Sequence, residues 1–363
     1  MLFWCTADHQ RRSGGSNITN HDESTRPSVK QIAYAADLST ATVDRVLNNR
    51  PGVRDKTRRK VEAAIDALRH SDGRGVPSDV RDLRLGFVLN SSKLVVAGYQ
   101  ALIPEWARRT GLRHEPRILH LPSDDVERRA EEIGLLARGL DGLILAARTS
   151  EAIVAQINAV VEAGTEVVCV TTDFPGTRRL CYVGMDQMVA GRLAARLVAL
   201  RGNSEDQLIA LHIGRNWRSE GEREMGFRST LRDLNFKGRI VELLTSGGSN
   251  DEAQSLLEGL RAKGQQVDAV YSPSSGVVGL ARAVADQPPE RRTFIIGHEV
   301  FAPLKTLLLE NQLGAQIATD HHAVLGEGLR MILRRRAGQP VPSSVFLPAH
   351  IVMKENVSAL DWY

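Results

Sequence analysis

From Leu83 onward the chain alternates short, continuously apolar runs with stretches of helical period. This alternation constrains the fold more than any other feature. The runs are LRLGFVLN (83–90), ILHL (118–121), DGLILAA (141–147), VVCVTT (167–172), QLIALHIG (207–214), RIVELL (239–244), AVYSP (269–273), TFIIGHE (293–299) and AQIATD (315–320). Between most of them lies a segment with helical spacing, such as EAIVAQINAVVEAG (151–164). Runs apolar on both faces predict buried parallel strands with helices on either side. Nine or more such strands exceed one comfortable sheet. The expectation is therefore an α/β body of two doubly wound parallel-sheet lobes with a cleft between them.

Composition narrows the class. A chain of 363 residues, 42% hydrophobic and 25% charged, has the mixture of a soluble globular protein of two to three domains. It can bury enough apolar surface to fold without a metal or disulfide. Cys5, Cys169 and Cys181 form no CxxC and no even framework, which suits a reducing compartment. No run approaches the length of a membrane span. The apolar start meets charge at Asp8 and Arg11, too soon for a secretory signal, so a cytoplasmic protein is expected.

The net charge of +4 is unevenly placed. Residues 26–70 hold ten Lys/Arg against five Asp/Glu, and the rest of the chain nets −1. That asymmetry predicts an anionic partner for this segment alone. The expected organisation is a disordered leader (1–25), a compact helical domain (26–70), a Gly/Pro/Ser-bearing linker or hinge (71–82), the two-lobed body (83–357) and a short tail (358–363). No heptads follow Val357, so no C-terminal coil is expected.

Ser28-Val29-Lys30-Gln31 opens the helical domain as a capping box, with Val29, Ile32, Ala33 and Ala36 on one face. Asp37-Leu38-Ser39 predicts a tight break, and Ser39 caps a second helix from Thr40 to about Asn48. Val43, Val46 and Leu47 give that helix a buried stripe and leave Thr40, Ala41, Asp44 and Arg45 exposed. A third helix, Asp55 to Leu68, repeats the period with Val61, Ala64, Ile65 and Leu68. Two short helices across a tight turn, with a third packed across them, make a helix-turn-helix, whose second helix enters the major groove. The alternative is a helical bundle with a solvated basic face.

VKQIAYAADLSTATVDRVLNNRPGVRDKTRRKVEAAIDAL (29–68) resembles the DNA-binding headpiece of LacI/GalR-type repressors over its whole length. The matching elements are V-x-x-I-A, L-S-x-x-T-V-x-R-V-L-N and K-T-R-x-x-V-x-x-A. The resemblance implies that Thr40, Ala41 and Arg45 read bases and that Ser39, Thr42, Asn48 and Arg58 contact phosphates. An arginine at that position can bind guanine O6 and N7 bidentately. Two departures stand out. Asp44 replaces the usual serine, where it could accept from cytosine N4, pair locally or repel a phosphate. The linker RHSDGRGVPSDVR lacks the Leu-Ala pair with which many members wedge the minor groove.

Residues 83 to about 357 are similar to the periplasmic-binding-protein-like core that such repressors share with bacterial sugar-binding proteins. The motifs are YVGMDQMVAGRLAARLV (182–198), GEREMGFRSTL (221–231), IIGHE (295–299) and ATDHHAVLGEGL (318–329). The resemblance implies a small polar effector held at strand C-termini. It places Arg223 at a ligand-binding position, with Thr171 or Asp173 after one strand and Ser272 and Ser274 after another. Glu299 and Asp320 close further strands, and His321 stands where a wall residue is usual. Asn90, Tyr99 and Trp217 flank the same region. Surface or helix-capping roles are the alternatives for Arg223, Asp173, Glu299 and Asp320.

Other chemistries lack their motifs. The sequence has no G-x-G-x-x-G after the first run, no G-x-x-x-x-G-K-[ST] and no G-x-S-x-G. His321 and His322 are adjacent and point apart on a helix, so neither a metal nor another cofactor is expected. Arg334–Arg336 end a helix, as its dipole favours. The expected function is a LacI-type, non-enzymatic transcriptional regulator that binds double-stranded operator DNA as a homodimer. A sugar-like effector would modulate its affinity. A solute-binding protein is the first rival, and a sugar-modifying enzyme the second.

Overall fold

The computed structural model describes residues 29–36, 38–48, 50, 52–55, 57, 58, 60–62, 64, 81–90, 93–121, 126–214, 217–245 and 249–360. The expected leader, most of the linker, Ser28 and the end of the third helix lie outside the described residues. The chain divides into two compact units, Met1–Asp72 and Gly73–Tyr363.

The smaller unit contains α1 (Val29–Ala36) and α2 (Thr40–Leu47), followed by helical backbone at Asp55, Thr57, Arg58, 60–62 and Ala64. Ile32, Ala33 and Ala36 of α1 meet Val43 and Val46 of α2, with Val61 and Ala64 closing the core. Leu47 departs from the expected stripe. It is 43% exposed, because α2 is a short helix that only Val43 and Val46 anchor to the core.

In the larger unit the periodicity of the sequence becomes two parallel-dominated sheets. Lobe 1 contains β1 (Leu85–Leu89), α3 (Lys93–Thr110), β2 (Arg117–His120), α4 (Val126–Ala137), β3 (Gly142–Ala146), α5 (Glu151–Glu162), β4 (Glu166–Val170) and β5 (Cys181–Met185). The chain then crosses to lobe 2, with α6 (Gln187–Arg201), β6 (Leu208–Ile213), α7 (Arg218–Asp233), β7 (Arg239–Leu244) and α8 (Asn250–Ala262). It continues there through β8 (Ala269–Tyr271), α9 (Val277–Ala283), β9 (Phe294–His298), α10 (Ala302–Leu309) and β10 (Ala315–Ala318). A second crossing leads to α11 (His321–Arg336) and β11 (Ser344–Leu347) in lobe 1. A third returns to β12 (His350–Val352) and α12 (Lys354–Val357).

The sheet orders are β11-β5-β4-β3-β1-β2 and β12-β10-β9-β8-β6-β7. All pairings are parallel except β10 with β12. The two orders are the same pattern repeated, so β1 to β5 correspond to β6 to β10. The central strands β1, β3 and β5 are buried at every residue, as strands covered on both faces must be. All nine apolar runs form strands; β5, β11 and β12 are additional. β5 overlaps the start of the YVGMDQ motif, while β11 and β12 are short edge strands without a long apolar run.

Within lobe 2, α6 and α7 are joined by close backbone packing as well as an apolar core. A Cβ on Gly191 of α6 would stand 1.9 Å from the Arg223 carbonyl oxygen of α7, and one on Gly226 would stand 2.2 Å from that of Met188. Only glycines allow these helices to approach so closely.

Candidate functional site

In the helix-turn-helix unit, Ser39 is the N-cap of α2, and its hydroxyl accepts from the Thr42 amide at 3.1 Å. Its oxygen also lies 2.8 Å from the Thr42 hydroxyl. Burial of Val43 and Val46 turns Thr40, Ala41 and Arg45 to solvent. Asp44 is drawn into local contacts. Its carboxylate accepts from Asn48 Nδ2 at 2.8 Å and lies 3.4 Å from Arg50. The Asn48 amide group donates again to the Asp44 carbonyl at 3.0 Å. Arg58 is half-buried on the third helix. The exposed first turns of α2 therefore present Thr40, Ala41 and Arg45, while Asp44 is partly neutralised from within.

In the larger unit, the C-terminal ends of the strands of both lobes converge. Two residues, each in the first turn after a crossing, bridge them. Gln187 begins α6, donates through Nε2 to the Thr171 carbonyl at 2.9 Å, and accepts through Oε1 from Arg223 Nε at 2.7 Å. Its Nε2 also lies 3.1 Å from the Tyr182 hydroxyl. His321 begins α11, with Nδ1 2.7 Å from the Tyr99 hydroxyl and Nε2 2.8 Å from Glu299 Oε2. Asp186 and Asp320, one residue earlier, cap the two helices by accepting from the Val189 and Ala323 amides.

Phe301 stacks on His321 with ring centroids 5.2 Å apart and planes at 17°. It fits against α3 because Gly98 has no side chain; a Cβ there would approach its ring to 2.0 Å. Arg223 is buried and also donates through Nη1 to the Pro273 carbonyl at 2.9 Å. Among the described residues, its Nη2 has no hydrogen-bond partner.

The other expected effector residues are placed differently. Asn90 is buried at the end of β1, where it donates to the Leu121 carbonyl and accepts from the Arg148 amide and Arg129. Asp173 lies against Arg179, which donates from Nε and Nη2, the latter at 2.7 Å. Ser274 donates to Glu220 at 2.7 Å, and Ser272 lies 2.8 Å from His212. Thus Tyr99, Thr171, Arg223, Glu299 and His321 join the interlobe network directly. Asn90, Asp173, Ser272 and Ser274 engage partners within their own lobes, and Asp320 caps α11. Trp217 precedes α7 as its N-cap residue, without a side-chain cap bond.

The family model described as "Periplasmic binding protein domain" matches residues 133–339. That described as "Bacterial regulatory proteins, lacI family" matches residues 28–71. The chain is a LacI-type bacterial regulatory protein. No curated protein matches it by sequence. Among solved structures, a Bacteroides fragilis protein described as a LacI transcriptional regulator is similar at 16% identity and TM-score 0.66, over 77% of this chain and all of its own. GanP, a glucose-galactose binding protein from Geobacillus stearothermophilus, is similar at 22% identity and TM-score 0.64, over 76% of this chain and 98% of its own. A solute-binding protein from Actinobacillus succinogenes 130z with bound D-allose reaches TM-score 0.66 at 14% identity, over 77% of this chain and 100% of its own. These likenesses show the fold.

Burial sets the protonation of the regulator's inner groups. It pushes the Tyr99 phenol above its ordinary range, with the Glu299 charge adding to the effect. Tyr99 is therefore a neutral hydroxyl beside His321. In lobe 2, burial lowers His212 to about 4 and holds His298 well below its ordinary value. Among the described residues, no group of His, Cys, Asp and Glu is arranged to hold a metal, and no helix is long and apolar enough to cross a membrane. Both matched families of the LacI-type regulator are binding families.

Sequence reasoning missed Gln187 and Phe301 as members of the interlobe network. A signal for Gln187 was present: Asp186-Gln187 follows β5 as Asp320-His321 follows β10. Phe301 carried no comparable signal, since its role depends on Gly98 in another lobe.

Proposed function

We propose that this LacI-type regulator acts in the cytoplasm as a homodimer on operator DNA, with a sugar or sugar derivative held between its lobes. The observation that carries the effector reading is Arg223. It is buried at the interlobe junction, fixed by Gln187 and Pro273, with one guanidinium nitrogen left for a ligand. That nitrogen is not among the sealed, unsatisfied polar atoms of the described residues; it remains accessible and would donate to a ligand oxygen. Glu299 and His321, on the opposite crossing, supply an acceptor and a ring wall. The names of the solved relatives, with glucose-galactose and D-allose among their ligands, support a polyhydroxylated molecule.

On the DNA, Thr40, Ala41 and Arg45 would read base edges, with Ser39, Thr42 and Arg58 on the backbone. Asn48 would approach a phosphate through whatever capacity its contacts with Asp44 leave. Asn90, Asp173, Ser272, Ser274 and Asp320 would shape the effector site through the groups they orient. An effector changes operator affinity only if it binds two states of the protein unequally. The bridges through Gln187 and His321 are where lobe movement would be felt.

The test is thermal-shift screening of neutral monosaccharides and sugar acids, followed by operator binding with and without each hit. Stabilisation by a sugar that is lost in Arg223→Lys, together with a change in DNA affinity, is the expected result. Stabilisation without any change in DNA affinity would favour a solute-binding role, and chemical turnover of the hit would favour an enzyme.

A further inference from the structure

The body is electrically neutral as a whole but polarised. Residues 71–363 contain equal numbers of basic and acidic side chains. The end of lobe 1 that carries the strand N-termini does not share that balance. It is built from residues 81–84, 105–117, 138–141, 162–166, 178 and 334–336, which hold eleven arginines against six carboxylates. The topology gathers these segments. Parallel strands all begin at one end of the sheet, and the helices between them finish there.

Direct contacts confirm that the segments form one surface. Arg336 Nη1 lies 2.8 Å from Asp141, whose other oxygen accepts from the Arg84 amide at 2.8 Å. Arg335 lies 3.7 Å from Glu166, and Arg113 lies 2.8 Å from Asp82. The cations remain in solvent: Arg108, Arg113 and Arg335 have side chains 75%, 63% and 57% exposed. Exposed pairs of this kind hold weakly and leave the net field of the face positive.

This is also the end at which the chain coming from the helix-turn-helix unit enters lobe 1, through Arg81 to Arg84, immediately before β1. We propose that the strand-N-terminal face of lobe 1 is a second, sequence-independent contact surface for the phosphodiester backbone of duplex DNA. The inference rests on the regulator binding DNA, and it adds a surface outside the helix-turn-helix. Guanidinium groups suit phosphate geometrically. Several such contacts would add affinity that falls steeply with salt, without reading bases.

The experiment uses the full chain and a random-sequence duplex several helical turns long, with binding followed by fluorescence anisotropy across a salt series. The variant is Arg108→Gln, Arg138→Gln and Arg335→Gln together. All three positions are exposed, and none belongs to the helix-turn-helix or the interlobe network. Each lost phosphate contact should make the slope of log affinity against log salt shallower by about 0.9. The expected result is a slope reduced by one to three such contacts and affinity at about 0.1 M salt lowered about tenfold or more, with unchanged melting temperature. Identical slope and affinity would overturn the proposal while leaving the regulator reading intact. An altered oligomeric state in sedimentation, with the DNA slope unchanged, would assign the face to a second copy of the chain and also overturn it. Absence of salt-dependent DNA binding by the unmodified protein would sink the regulator reading and this surface with it.

Discussion

Thr171 and Glu299 occupy the same place in the two lobes. Each is the first residue after its lobe's fourth strand, and each has left-handed backbone, with φ of 67° and 65°. Neither is glycine, so both positions hold backbone that L-residues adopt only at a cost. The strain sits where the two bridges end: the Thr171 carbonyl accepts from Gln187, and the Glu299 carboxylate meets His321.

The strain at Thr171 can be measured by comparing two truncations. Thr171→Gly and Thr171→Ala both remove the hydroxyl that lies near Tyr99. At an ordinary position alanine would be the more stable. Here the order should invert, with the glycine variant more stable by about 1 kcal/mol, since only glycine is relaxed at positive φ. Urea titrations of both variants check this; an alanine variant of equal or greater stability would remove strain from the account.

Gln187 is buried and has spent its amide on both lobes. Gln187→Ala leaves Arg223 Nε and the Thr171 carbonyl without these partners. The expected loss is about 1–3 kcal/mol of stability, together with weaker effector binding because Arg223 is no longer held. Isothermal titration with a thermal-shift hit measures the second effect. Unchanged effector affinity would mean that Pro273 alone positions the arginine.

These bridges show how far the sequence could be read. Most strand positions were legible because inner parallel strands such as β1 and β3 are apolar on both faces, while the partly exposed edge strands β2 and β7 still carry short apolar runs. The helix-turn-helix was legible because capping and periodicity act within a few residues. The partners of polar residues were not. Asp173 finds Arg179 because the loop after β4 folds back, and Asn90 finds Arg129 from another helix. Those meetings depend on tertiary packing, whereas the cap formed by Asp320 is local and was visible as an alternative.

His212 supplies a pH dependence. Its ring nitrogens lie 2.8 Å from Ser272 Oγ and 3.1 Å from Thr245 Oγ1, and burial lowers it from 6.5 to about 4. The unfolded chain therefore takes up a proton before the folded one does. The stabilisation is fully present above about pH 6.5 and is lost as pH falls toward 4, amounting to about 3 kcal/mol. In His212→Asn the difference in stability from the unmodified protein should shrink across that window. A constant difference from pH 7 to pH 4 would exclude this linkage.

The α6–α7 contact joins packing to the site. Gly191→Ala would put a methyl group 1.9 Å from the carbonyl oxygen of Arg223 itself. Backbone cannot yield as a flexible side chain does, so the helices must separate. Overpacking of this kind costs about 1–3 kcal/mol or more. Gly221→Ala on α7, where nothing lies within 4 Å of the added atom, is the matched control and should be neutral or slightly stabilising. Thermal melts of the two variants separate the effects. Effector titration should show weakened binding only for Gly191→Ala, because only that change moves Arg223.

Arg45 and Asp44 make the last prediction. Arg45 is exposed on α2, while Asp44 is held by Asn48 and Arg50. If Arg45 reads a guanine bidentately, Arg45→Ala should cost about 1–3 kcal/mol on the preferred site and relax selectivity there. An equal loss on every duplex would make it a phosphate contact instead. Asp44→Asn removes a negative charge next to Arg45 on α2 and also loosens Arg50. It should strengthen binding to all duplexes and change selectivity little, since the carboxylate's hydrogen bonds are internal. Selection from a randomised duplex pool, followed by affinity measurement at two salt concentrations, distinguishes these outcomes. A change in the preferred base with Asp44→Asn would instead show that the carboxylate reaches a cytosine amino group.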